Sequence, residues 1–227
     1  MSDYIEIVVI VEGRTEEIFI NKILKDYLDQ KNIFMTPIQI SKPGQKGRDV
    51  RFSRAINDIS LHLKQREDTY ISLFFDYYGL KNDWPGLDEA HKKTKPSEIA
   101  SAINNATQSA VDKKLSKYRS DTRFIPYIAV HEFESLLFSD PMKTALVLKV
   151  NQGKIDTIIN QFGDPEKINN SPKTAPSKRL KKLYPRYKKT ITGITAARDI
   201  GIPKMREKCK VFDHWLSQLE SLVGEPR

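Results

Sequence analysis

Residues 5–13, IEIVVIVEG (Ile5-Glu6-Ile7-Val8-Val9-Ile10-Val11-Glu12-Gly13), decide the fold. Ile5 to Val11 is β-branched, almost continuously apolar and short, which predicts a strand buried on both faces. A two-sided burial of that kind belongs to the inner strand of a parallel sheet covered by helices. Immediately after it, Thr15 is an expected helix cap. Ile18, Phe19, Ile23, Leu24, Tyr27 and Leu28 then recur at helical spacing.

The pattern repeats outward from this point. A second strand is expected over Ile33–Ile40, then a polar, basic loop Ser41–Arg48 (SKPGQKGR) whose glycines would let its backbone approach a phosphate. A solvated turn is the plainer reading of that loop. A helix is expected over Asp49–Glu67, then a strand Tyr70–Phe75 running into Asp76. A long loop to about Lys95 precedes a helix over Ser97–Lys117, with Ser97 as its cap. The last strand, Phe124–Val130, contains Pro126, which places it at an edge or starts it after the proline. Beyond Glu134 the spacing is helical, notably over Glu207–Leu222. The fold class is therefore α/β: a mostly parallel sheet flanked by helices, with a helical C-terminal extension and no need for a hairpin. Residues 1–140 form the expected core, and 141–227 a helical, basic region packed on it.

Composition narrows the function classes. The 227 residues include 38 Lys and Arg against 29 Asp and Glu, a net charge of +9 that favours polyanionic partners. Cys209 is the single cysteine, so neither an internal disulfide nor a thiolate metal cage is available, and a reducing cytoplasm is expected. Met1-Ser2-Asp3-Tyr4 lacks a basic leader, and no apolar run approaches the roughly 20 residues of a membrane span. Neither export nor a membrane partner is expected.

Three apolar runs end in acid: Val11 into Glu12, Phe75 into Asp76, and Val130 into His131-Glu132-Phe133-Glu134. In a parallel sheet the carboxyl ends of the strands share one edge, where ligands bind. Carboxylates gathered there repel one another unless a hard divalent cation offsets them, for which Mg²⁺ or Mn²⁺ is the ordinary choice. Taken one at a time, each acid is also a residue favoured at a helix start, and Glu16 and Glu17 fit that simpler account. Glu132 and Glu134 share a face if the chain is extended and diverge by about 200° if a helix has begun, so both alternatives stay open. His131, beside the pair, is either a proton relay or a hydrogen-bonded structural histidine.

At these residues the chain resembles the Toprim superfamily, whose pattern is an apolar strand, Glu-Gly, a further acid, and an Asp-x-Asp motif after a later strand. Glu12-Gly13-Arg14-Thr15-Glu16 matches the first element and Asp76 the start of the second, while Tyr78 stands where a second aspartate is expected. VEGRTEE, DYYG, HEFESLLFSD and the stretch from Tyr184 to Trp215 together resemble the bacterial family of domain of unknown function 4276. The resemblance implies a Toprim-like (Rossmannoid) fold and a Mg²⁺ site: Glu12 and Asp76 as ligands or proton handlers, Glu16 supporting or ligating, with Glu132 or Glu134 replacing the missing aspartate. It also implies a place in antiphage defence, often beside an AAA-type or ABC-type ATPase.

From Lys167 to Arg198 the sequence has ten Lys and Arg and no acid. Lys178, Arg179, Lys181, Lys182, Arg186, Lys188 and Lys189 are candidate phosphate contacts on DNA or RNA, with Tyr184 and Tyr187 interleaved for stacking on bases. A solvated face or a dock for an acidic protein is the competing account. The leading expectation is a Mg²⁺-dependent nuclease with Glu12, Asp76 and Glu134 on metal and Glu16 and Glu132 orienting water or ligands. The alternative is a non-catalytic nucleic-acid-binding or regulatory partner of an ATPase.

Overall fold

The computed structural model describes residues 4–42, 45–46, 49–168 and 174–224. Strand β1 (Ile5–Val11) lies inside a parallel sheet, and its alternate residues Ile7, Val9 and Val11 are sealed from solvent. Helix α1 (Arg14–Phe19) continues through a π-helical turn (Ile20–Leu24) into α2 (Lys25–Asp29), and β2 (Ile33–Gln39) then pairs with β1 from Ile5↔Ile33 to Val11↔Gln39. A small antiparallel pair, β3 (Ser41–Lys42) with β4 (Gln45–Lys46), corrects the expectation that no hairpin pairing occurs. Pro43, Gly44, Gly47 and Arg48 of the suggested phosphate loop lie outside the described residues.

Helix α3 (Phe52–Gln65) crosses to β5 (Thr69–Asp76), which pairs with the other side of β1. The segment expected as a long loop holds a 3₁₀ turn at Tyr77–Gly79 and a short helix α4 (Leu87–His91). Helix α5 (Pro96–Leu115) starts one residue early: Lys95 takes the cap position and Pro96 the first turn, where a missing N–H costs nothing. At the first helix Gly13, not Thr15, occupies the cap position. Short α6 (Ser120–Arg123) leads into β6 (Phe124–Ile125) and β7 (Ile128–Ala129), two fragments parallel to β5 and separated at Pro126. A proline has no amide to donate to a ladder, so the edge strand breaks there.

After the 3₁₀ segment Phe133–Ser139 come α7 (Pro141–Leu148), α8 (Gln152–Phe162), α9 (Pro176–Leu183), a π-helical turn (Lys189–Gly193), α10 (Ile194–Ile200), α11 (Ile202–Lys208) and α12 (Lys210–Ser221). The helix expected over Glu207–Leu222 is thus two helices that meet at Cys209, and Cys209 is fully buried. Glu166 explains the restart. Its carboxylate accepts from Val211 N at 2.9 Å and Phe212 N at 3.1 Å, so it satisfies the free amides of the new helix.

The helices after residue 140 share one apolar core with the sheet. Trp215 stacks on Tyr127 (4.4 Å, 6°), and its indole donates to Ser72 Oγ at 3.0 Å. Phe19 packs against Phe74 and Phe133 (6.1 and 5.0 Å), which binds the first helix, the central strand and the third acidic segment to one another. Among the described residues, no helix is long and apolar enough to cross a membrane.

Candidate metal and nucleic-acid site

The strand order β2-β1-β5-β6 reverses direction at β1, because the chain leaves β1 for one neighbour and returns on its other side to β5. The carboxyl ends of β1 and β5 therefore flank the switch point, where a crevice opens in open α/β sheets. Val11 pairs with Phe74, so Glu12 and Asp76 emerge side by side. The Asp76 backbone amide supports the ionised form of Glu12. The Asp76 carboxylate in turn accepts from Tyr78 N at 3.0 Å, which folds the turn back over the strand end. Gly79 completes that turn: a Cβ there would stand 2.7 Å from Glu12 Oε2.

Glu16 reaches the same place from one turn into α1 and interacts with Glu12, Lys189 and Glu134. Glu17 leaves it, pairing with Arg14 at 3.2 Å and Gln39 at 2.6 Å. Both acids of the third segment face inward. Glu132 is extended and Glu134 sits in the first 3₁₀ turn, while Phe133 between them is buried against Phe19. One extended residue followed by one tight turn brings the two carboxylates onto a common cation, an outcome between the two geometries the sequence left open. Lys189 Nζ lies 2.9 Å from Glu134 Oε2 and 3.4 Å from Glu132 Oε1. Tyr187 donates its hydroxyl to Glu134 Oε1 at 3.3 Å, and Ser177 N donates to Glu132 Oε2 at 2.9 Å.

The electrostatics follow from five carboxylates around the Lys189 ammonium, with Lys81 adding a weaker pull on Glu12. Burial raises the pKa of Glu12 and of Glu134 against the opposing pull of Lys189. Asp76 is pushed well above its ordinary value by burial, with the charges of Glu12 and Glu132 adding to it. Burial lifts Glu16 to about 7. Glu132 alone goes down: burial opposes its charge, but Lys189 and Ser177 together outweigh that. Lys189 is held above its usual value because Glu134 and Glu132 outweigh its own burial. Burial pushes His131 down to about 4, so at neutral pH it is an uncharged ring against Tyr78 rather than a proton carrier. Its nitrogens are sealed from solvent without a full hydrogen bond, and the Glu166 backbone gives only partial support.

The donor set matches a hard divalent ion in kind: carboxylate oxygens only, in a partly dry crevice and with too little positive charge among them. Among the described residues no group of three or more acids, histidines or cysteines is placed so that it could hold a metal ion without the side chains moving. Lys189 supplies the only close positive charge that the described ion pairs give this group.

The basic run divides into two parts. Lys178, Lys181, Lys182, Arg186 and Lys188 are exposed. Arg179 is half-buried, stacked over Phe162 at 4.7 Å and bonded to Thr174 O at 2.7 Å. Lys189 instead points into the carboxylates, and Tyr187 is buried with its hydroxyl engaged, so neither is a free surface contact. Tyr184 packs against the core. The stacking role suggested for Tyr187 is corrected by that burial. The sequence marked both as nucleic-acid contacts and carried no sign of their place among the carboxylates, since Lys189 lies 55 residues from Glu134 and shares a basic run with its exposed neighbours.

A family profile described as "Domain of unknown function (DUF4276)" matches residues 11–220. No match was found among curated proteins. Among solved structures, the C-terminal region of the Burkholderia pseudomallei OLD protein is similar at 14% identity, over 96% of this chain and 98% of that one, with a TM-score of 0.49. The chain belongs to the DUF4276 family, whose profile runs from the end of β1 into α12.

Proposed function

We propose that this protein is a Mg²⁺- or Mn²⁺-dependent nuclease of Toprim type, which hydrolyses phosphodiesters of DNA or RNA. The observation that supports it is the meeting of Glu12, Asp76, Glu16, Glu132 and Glu134 from three separate segments at the switch point of the sheet. Glu12, Asp76 and Glu134 would hold the ion. When bound, such an ion activates water and stabilises charge on the phosphate and the leaving oxygen. Glu16, with its pKa near neutrality, is suited to accept a proton at that place. Glu132, fixed by Ser177 and Lys189, orients what enters. The exposed lysines and arginines of α9 and the turn after it would neutralise phosphates of the bound strand.

By resemblance to its family, the protein would act as an effector or accessory subunit in antiphage defence, beside an AAA-type or ABC-type ATPase. One observation favours a second reading. Lys189 already neutralises Glu132 and Glu134, as it would in a site that binds nucleic acid or an ATPase partner without metal. The test has two arms. An ion at about 100 times its dissociation constant should stabilise the wild type by about 2.7 kcal/mol and Asp76→Ala by nothing. Supercoiled plasmid, single-stranded DNA and tRNA should then be cut only with metal. Stabilisation equal in both proteins would end the metal site; binding without cleavage would favour the second reading.

A further inference from the structure

Tyr78 projects from the turn that follows Asp76 and is 55% exposed, although the side chains on either side of it, Tyr77 and Leu80, are buried. The ring is held rather than loose. Its own amide is fixed on the Asp76 carboxylate at 3.0 Å, the edge of Tyr77 meets it at 5.2 Å and 77°, and the buried His131 ring lies nearly parallel to it at 6.1 Å and 15°. The result is an aromatic shelf at the lip of the carboxylate crevice, backed by the His131 ring. Nothing in the ion chemistry uses it. Leaving an aromatic face in water beside a site for a phosphate is favourable if a substrate covers that face.

Resting on the nuclease reading, we propose that Tyr78 is the stacking platform for an unpaired nucleobase next to the bond that is cut, so that the site takes single-stranded nucleic acid. A base within a duplex has both faces covered by its neighbours and leaves a protein only its edges in the grooves, beside the sugars and phosphates. An unpaired base has a free face, and every base has one, so such a shelf selects for strandedness rather than for sequence. Glu132 and Glu134, both paired with Lys189, bring further carboxylates to the crevice beside the ring.

The experiment is fluorescence anisotropy with EDTA present, using a labelled short single strand and its blunt duplex, on wild type, Tyr78→Phe, Tyr78→Leu and Tyr78→Ala. Melting curves check that each variant folds. The wild type and Tyr78→Phe should prefer the single strand, and both aliphatic variants should bind it about tenfold more weakly with duplex binding unchanged. Equal single-strand binding by wild type and the aliphatic variants, or an equal loss on both strands, would overturn the proposal. Cleavage assayed in parallel separates the two ideas. Metal-dependent cutting without a Tyr78 effect on binding sinks the shelf alone, and Tyr78-dependent binding without cutting sinks the nuclease alone.

Discussion

Lys189 Nζ stands 2.9 Å from Glu134 Oε2, and that glutamate has no solvent exposure at all. A carboxylate in such a place stays charged only beside a cation, so this contact holds together two segments of the fold, the 3₁₀ turn after the edge strand and the π-helical turn before α10. Tyr187 and Gly193 frame it. A Cβ at Gly193 would lie 2.6 Å from the Tyr187 hydroxyl, so the glycine leaves the room in which that hydroxyl reaches Glu134.

Removing the ammonium should therefore expose the repulsion it masks. Lys189→Ala is expected to destabilise the metal-free protein by about 1–3 kcal/mol, a figure kept low because the lysine is itself 42% exposed. Added Mg²⁺ or Mn²⁺ should return part of that loss. Chemical denaturation with and without metal measures both numbers.

Stability of the metal-free protein should fall as pH rises from about 4.5 to about 7. Glu16 and Glu166 both have folded-state pKa values near 7 against an ordinary 4.5, so in that window the folded chain holds more protons than the unfolded one. Losing those protons favours unfolding. Melting temperatures of wild type and Glu16→Gln across the window check this: the variant, which cannot ionise at that position, should show the shallower decline.

Gly79→Ala is expected to damage the site and spare the fold. The added methyl meets the end of the Glu12 side chain, which can swing away at little cost, so stability should change by less than about 1 kcal/mol. The displaced Glu12 should then lose most of the metal-induced rise in melting temperature. A large stability loss with metal response intact would contradict this placement of Glu12.

Asp76→Asn keeps the acceptor for the Tyr78 amide and removes a buried negative charge. The variant should melt higher than wild type without metal, and its metal-dependent cleavage should drop by more than about 100-fold, the scale seen for outer-shell partners alone. Cleavage kinetics and a thermal melt on the same preparation check both directions.

Arg123 tests the frame, away from the site. It donates to the carbonyls of Thr69, Leu63 and Tyr118, and to that of Arg66, tying the end of α3 and the start of β5 to the edge strand. Arg123→Ala leaves these buried carbonyls without partners and should cost about 2–4 kcal/mol. Cleavage per folded molecule should stay unchanged.

The sequence by itself determined the parallel sheet, because β-branched runs such as Ile5–Val11 have no stable place except a strand covered on both faces. It also determined that Glu12 and Asp76 lie at one edge, since the carboxyl ends of parallel strands coincide. Local signals served less well. Thr15 and Ser97 are good capping residues, yet Gly13 and Lys95 hold those positions, and Cys209 breaks a pattern that looks continuous, because the cap for the new helix comes from Glu166, 45 residues away. The tertiary structure alone decided that Glu132 and Glu134 both face the crevice, that Glu16 enters it while Glu17 does not, and that Lys189 and Tyr187 leave a surface run to join them. Those choices depend on which buried ring holds which segment, Phe133 on Phe19 above all, and packing between residues so far apart leaves no periodic trace in the chain.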